Sequence, residues 1–308
     1  MLTYYFRAIK DDSLQTLDAP RAGVWVYGQD LDEAEKAQIA ERFSVDPSVL
    51  EDASDFYELP RFEYDEGIGY FFTRYPYFDE KLGTTVTSPI LFALGPDFLL
   101  TVSLAPAKSF APFLEGKKTV YTTQKVKLFI ELMRAVTQSY ARSVTMVRRR
   151  VRDTATHVDN ITEAELVEFV RFEGMLNDFV SSLVPTNAAL TRILSGKYFQ
   201  LYDDDIDIVE DLQLANAQLI ESCKTILRSM SSIREGYSTI TTSRLDKVLR
   251  TLTAITVALT FPMVVASFYG MNVGLPIQEE PVAFLIIFGI AFGGSTLLWF
   301  VFTKLRWV

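Results

Sequence analysis

Residues 251–278 read TLTAITVALTFPMVVASFYGMNVGLPIQ and residues 281–303 read PVAFLIIFGIAFGGSTLLWFVFT, and neither run holds an Asp, Glu, Lys or Arg. The first is 28 residues long, the second 23. About 20 apolar residues in helix cross a hydrocarbon core roughly 30 Å thick, so each run predicts a membrane span. Two buried helices of a soluble core are the competing reading, although helices of that length in soluble proteins rarely lack every charge. Arg244, Lys247 and Arg250 precede the first run, and Lys304 and Arg306 follow the second. The connection between them, 273–281, carries Glu279 and Glu280 and no basic residue. Basic flanks stay on the cytoplasmic side, which predicts a multi-pass protein of the cell (inner) membrane with both termini inside. The opening MLTYYFRAIKDDS has no basic segment leading into an apolar one, so no cleaved signal is expected.

The rest of the chain differs in character. Over all 308 residues the charge is −9, with 49% hydrophobic and 22% charged residues and a mean hydropathy of +0.15. Residues 251–308 are electrically balanced, so the whole negative charge sits in residues 1–250. An acidic surface of this kind argues against nucleic acid as a partner. Cys223 and His157 are the only residues of their kinds. A disulfide framework, a multi-cysteine metal site and a histidine-based catalytic centre within one chain are therefore excluded. With no Walker loop, dinucleotide fingerprint or nucleophile–base motif, no enzyme, resident cofactor or ATP-driven pump is expected.

Residues 1–120 read as an α/β domain. The stretches 2–9, 23–27, 68–78, 86–94 and 98–104 are rich in Val, Thr, Tyr and Phe and are bounded by Gly, Pro and Asp, as strands are. Asp30 precedes a helical pattern over 31–43, and Asp46-Pro47 opens a second, short helix. Gly95-Pro96-Asp97 marks a hairpin. From Thr122 apolar residues recur at three and four (Val126, Phe129, Ile130, Met133, Val136), the mark of an amphipathic helix. Residues 121–200 thus read as a helical region, with helices expected at about 123–157, 162–183 and 186–197, the last two separated by Pro185. A final helix is expected from near Asp203 to about Tyr269. It divides into a stalk (201–247) and the first span (248–272). An external loop (273–281), a second span (282–303) and a basic tail (304–308) complete the chain. So long a stalk suggests packing against copies of itself.

Within the first span, Thr253, Thr256, Thr260 and Ser267 share one helical face, and Asp246 lies seven residues before Thr253. Two roles fit such a stripe. Hydroxyls in a span often satisfy backbone carbonyls of their own helix, and they also suit a face turned to water. Met263 lies on the same face. In the second span Gly289 and Gly293 form a small-xxx-small pair suited to close helix contact. Two spans cannot enclose a pore. If the stripe lines one, several identical chains must surround an axis with the first spans inside.

At the outer end of the first span stands Tyr269-Gly270-Met271-Asn272, within PMVVASFYGMNVGLP over 262–276. Gly-Met-Asn between two terminal spans resembles the CorA family of divalent metal-ion transporters, and the layout of the whole chain is similar to that family's. The resemblance implies an α+β cytoplasmic domain followed by long helices, a stalk helix and two C-terminal transmembrane helices, assembled as a cyclic homopentamer. It implies a channel that passes Mg²⁺, often with Co²⁺ or Ni²⁺, down its electrochemical gradient. Gly270, Met271 and Asn272 would form the external selectivity filter. Asp246, Leu249, Leu252, Thr253, Thr256, Thr260 and Met263 match the family's pore-lining positions. The family often carries Asn at the position of Asp246 and Met at that of Leu249, so the inner gate has its own chemistry here. For Asn272 a helix C-cap at the membrane edge is the other role open to this residue.

The resemblance also implies that Mg²⁺ is a regulatory ligand, favouring the closed state from the cytoplasmic side between protomers. Asp207, Glu210 and Asp211 offer hard oxygen ligands for that role, in a run that begins with Asp203, Asp204 and Asp205. Acidic residues are equally at home at a helix N-terminus. Arg148, Arg149, Arg150 and Arg152 are expected to form a solvated helix end that pairs with acidic neighbours. The expected partners are divalent ions, the bilayer and further copies of the chain. A zinc, cobalt or nickel transporter of the same superfamily and a non-conducting membrane-anchored metal sensor are the alternatives.

Overall fold

The computed structural model describes residues 1–199, 202–277, 281–305 and 307. Glu279, Glu280 and Arg306, invoked above for orientation, lie outside the described residues. The chain divides into two compact units, residues 1–157 with 161–231, and residues 158–160 with 232–308.

The first unit is built on a seven-stranded mixed sheet ordered β2-β1-β3-β7-β6-β5-β4. Its strands are β1 (Leu2–Phe6), β2 (Gln15–Leu17), β3 (Val24–Gln29), β4 (Arg61–Asp65), β5 (Ile68–Asp79), β6 (Thr84–Leu94) and β7 (Phe98–Ser103). Only the β3–β7 pair is parallel; the other ladders are antiparallel. Side chains alternate between the faces of a strand, and β5 uses both. Tyr70 and Phe72 join Val24, Val26, Ile39 and Leu50 under α1 (Glu33–Phe43) and α2 (Pro47–Asp52). Phe71 points the other way, onto Phe129, with ring centroids 5.3 Å apart. The second face is covered by α4 (Lys125–Ala155), which follows the short α3 (Ala111–Leu114), and by α5 (Glu163–Leu194). Tyr140 of α4 donates its hydroxyl hydrogen to the carbonyl of Arg74 at 2.9 Å. Thr137 donates to the Asn216 side chain at 3.1 Å and joins α4 to α6 (Asp203–Tyr269).

Five strands, the first two helices and the β6–β7 hairpin fall where the sequence predicts them. Three details differ. Strands β2 and β4 were not expected: the first has three residues and the second alternates charge with aromatics, which leaves no apolar run to read. Helix α1 is capped by Asp32, not Asp30; Asp32 and Glu35 form a reciprocal capping box, while Asp30 turns left-handed at φ 47°. Finally, α5 is one helix and not two. Pro185 lies inside it and deletes one internal hydrogen bond. The helix continues because Leu183, Thr186, Ala189 and Leu190 are buried on both sides of the proline.

The second unit contains the outer part of α6 from residue 232, α7 (Ala283–Lys304) and the 158–160 connection. That connection lies beside α6: Asp159 approaches Arg244 at 3.8 Å. Both helices are long and apolar enough to cross a membrane, and only 11% and 6% of their apolar windows are buried. A core helix of a soluble protein is mostly buried, so that alternative fails.

Candidate functional site

The geometry of the two apolar helices follows from small residues. Ala254 and Ala258 are buried on α6, and Ala291 is buried on α7. Next to them Gly294 makes room for the Phe261 ring, which an added Cβ would meet at 2.1 Å. The expected glycine pair does not make this contact: an added Cβ at Gly289 or Gly293 would meet no atom within 4 Å. The helices meet one residue further along, at Gly294, because Gly289 and Gly293 fall on the side of α7 away from Ala291 and Ser295.

A polar bond joins the helices. Ser295 donates its hydroxyl hydrogen to the carbonyl of Ala258 at 2.6 Å. That carbonyl is the one an amide hydrogen at position 262 would bind, and position 262 is proline. Sequence reasoning missed Ser295. The signal was present in Pro262, because a proline inside a span obliges some other donor to serve the carbonyl four residues back.

At about 100° per residue, Ala254, Ala258 and Phe261 fall within an arc of about 60°, and Thr253, Thr256 and Thr260 centre about 130° from it. The hydroxyl face thus points away from α7. All three threonines are exposed in the single chain, as are Leu249, Leu252 and Met263. Thr253 donates to the carbonyl of Leu249 at 2.8 Å, Thr256 to that of Leu252 at 2.9 Å and Thr260 to that of Thr256 at 2.7 Å. The two roles open to these hydroxyls are therefore compatible. Each spends its hydrogen on its own helix and still presents an oxygen with free lone pairs. A face lined in this way accepts hydrogen bonds and offers none from these groups.

Helix α6 ends at Tyr269. Gly270 and Met271 close it, their amides donating to the carbonyls of Ala266 (2.9 Å) and Phe268 (3.2 Å). Met271 and Asn272 are exposed beyond that end, and the Tyr269 hydroxyl donates to the carbonyl of Pro276 at 3.3 Å. At the other end Asp246 is ion-paired with Arg250 at 2.7 Å, one turn along the same helix.

Asp207, Glu210 and Asp211 stand exposed on the first turns of α6, and Asp205 is buried. Among the described residues no group of three or more His, Cys, Asp or Glu within one chain is placed to hold a metal ion. Any such site built from these three needs ligands from elsewhere. The arginine cluster of α4 pairs as expected, Arg150 with Glu168 at 2.9 Å, and Arg148 donates to Ser222 at 2.7 Å.

The profile of the family described as CorA-like Mg²⁺ transporter protein matches residues 21–304. The chain is similar to the cobalt/magnesium transport protein CorA of Methanocaldococcus jannaschii, with 21% identity over 297 residues, 92% of this chain and 91% of that one. Its fold matches the complete structure of the CorA magnesium transporter from the same organism at a TM-score of 0.89, with 19% identity, over 100% of this chain and 99% of the other. The structure of the full-length CmaX protein matches at a TM-score of 0.76 and 17% identity, covering 100% and 98%.

Proposed function

The chain belongs to the CorA-like Mg²⁺ transporter family, a family of divalent-cation transporters of the membrane, and from that premise we propose that it is a Mg²⁺ channel. Copies of the chain surround a shared axis, five in number as the resemblance implies. The α6 segment 248–272 lines the pore, and the α7 segment 282–303 faces lipid. Arg244, Lys247, Arg250 and Lys304 flank the spans on the cytoplasmic side.

The observation that carries this reading is the acceptor-only face of Thr253, Thr256 and Thr260, turned away from α7. Mg²⁺ dehydrates reluctantly, and the waters around it direct their hydrogens outward. Threonine oxygens whose own hydrogens are committed to the helix accept from those waters and favour hydrated cations. Gly270, Met271 and Asn272 form the outer filter, where carbonyl and carboxamide oxygens act in the same sense. Leu249, Leu252 and Met263 supply apolar constrictions on the same side of α6. Asp246, neutralised locally by Arg250, brings less net charge to the inner mouth than a free carboxylate ring would. Inward flux is driven by the membrane potential, about 2.3 kcal/mol per charge per 100 mV and twice that for a divalent ion. Regulation by internal Mg²⁺ is assigned to Asp207, Glu210 and Asp211 together with ligands from a neighbouring protomer.

Flux into proteoliposomes tests the reading. Mg²⁺ uptake is expected, with Asn272→Ala abolishing discrimination among divalent ions while assembly persists. Replacing Asp207, Glu210 and Asp211 by their amides should weaken inhibition by internal Mg²⁺. Zn²⁺ flux exceeding Mg²⁺ flux would overturn the choice of ion, and the absence of any divalent flux would leave a membrane-anchored sensor.

A further inference from the structure

Pro262 removes an amide hydrogen from the middle of a membrane span, and the carbonyl that loses its partner belongs to Ala258. In hydrocarbon such a carbonyl is destabilising unless another donor reaches it. Here the donor comes from the neighbouring helix: the Ser295 hydroxyl stands 2.6 Å from the Ala258 oxygen. Small residues surround that bond. Ala258 is buried, and Gly294, next to Ser295, admits the edge of the Phe261 ring. Toward the outer end of α6 from this contact lie Met263 and Gly270–Asn272, the residues assigned above to the outer pore and the filter.

We infer that Ser295 is a positioning residue for ion conduction. Its hydroxyl stands in for the missing amide hydrogen of Pro262, so α7 holds α6 at the turn where that helix lacks one bond of its own. Three features make this more than ordinary span-to-span packing. A helix bends most readily where its bond ladder is interrupted, and proline interrupts it here. The replacing donor is on a different helix, so the direction of the outer α6 segment depends on α7. And the acceptor face of Thr253, Thr256 and Thr260 is on the other side of α6, so the clamp grips the helix without occluding the proposed pore. Without Ser295, the outer segment bearing Met263, Met271 and Asn272 is free to reorient about position 262. Discrimination at the outer end then suffers along with rate.

The inference rests on the transport reading, and its test separates the two. Full-length Ser295→Ala, Pro262→Ala and the double variant are reconstituted at matched amounts of assembled protein. Mg²⁺ uptake and its ratio to Ca²⁺ uptake are measured. Ser295→Ala is expected to lower Mg²⁺ uptake roughly fivefold or more and to narrow that ratio. Pro262→Ala supplies an amide hydrogen to Ala258, so adding Ser295→Ala to it should change uptake less than about twofold. Ser295→Ala uptake and discrimination equal to the parent's would overturn the inference, as would a loss that Pro262→Ala fails to relieve. If the parent carries no divalent ion at all, the transport reading fails by itself. The clamp is then judged by thermal unfolding in detergent. There, strictly additive effects of the two substitutions overturn it, and a smaller Ser295→Ala effect when combined with Pro262→Ala upholds it.

Discussion

The Thr73 hydroxyl of β5 lies 2.8 Å from that of Thr186 of α5, and each residue is only 2% exposed. Thr186 already donates to the Ser182 carbonyl at 2.7 Å, so the hydrogen between the two hydroxyls comes from Thr73. The pair is therefore asymmetric. Thr186→Val strands a buried donor on Thr73, and such a group costs about 1–3 kcal/mol. Thr73→Val removes only a donor to an oxygen whose own hydrogen is satisfied, and should cost less. Thermal unfolding of the two full-length variants ranks them; an equal cost, or the reverse order, would show the hydrogen pointing the other way. The same asymmetry explains what could be read in advance at this scale. The threonine face of α6 was legible because its members bond within their own helix at fixed spacing. Thr73 with Thr186, and Ser295 with Ala258, were not, because each needs the fold to bring distant residues together. Pro262 announced only that some donor was required.

At the scale of elements, periodicity recovered β1, β3, β5, β6 and β7 because each buries at least one face in the sheet's core. It failed for β2 and β4, where the partner strand supplies the order that the short or charged segment lacks. At Pro185 the local rule predicted a break, and burial of α5 on both sides of the proline outweighed it. The start of α5 obeys its local rule. Thr162 and Glu165 form a capping box, and Glu165 also meets His157 at 3.0 Å. The Thr162 amide, then the His157 side chain and the Thr162 hydroxyl, hold the Glu165 carboxyl down at about 2, below its ordinary 4.5. Because the folded value is the lower one, the ionised carboxylate stabilises α5 fully above about pH 4.5, and that contribution is lost as pH falls from there to about 2. Glu165→Gln should therefore lower the unfolding temperature at neutral pH. The gap from the parent should close below about pH 4. A gap that stays constant from neutral pH down to about 2 would mean that charge has no part in the cap.

For the whole molecule, the decisive property is that one chain leaves both spans almost bare, although α6 and α7 cover a strip of each other. Faces left over after that contact meet lipid, water or further copies, and their chemistry differs. Thr256 sits on the acceptor face of α6, two residues before Ala258. Leu297 is 63% exposed on α7, two residues after Ser295, which bonds to Ala258 from the antiparallel side. The two therefore lie at similar depth but on faces assigned to the axis and to lipid. Cysteines placed at each separate these environments. The native Cys223 does not interfere, since it is fully buried and burial pushes its thiol up to about 11, far from the thiolate at neutral pH. With a short bifunctional thiol reagent in native membranes, Thr256→Cys should give linked dimers. Each chain carries one reactive thiol, so linking stops there, and a ring of five, the reading adopted here, leaves at least one chain in five unlinked. Leu297→Cys should remain a monomer on the denaturing gel and react only with lipid-soluble reagents. Efficient linking through Leu297 and none through Thr256 would turn the assembly inside out, putting the threonines in lipid and removing the physical basis for conduction along α6.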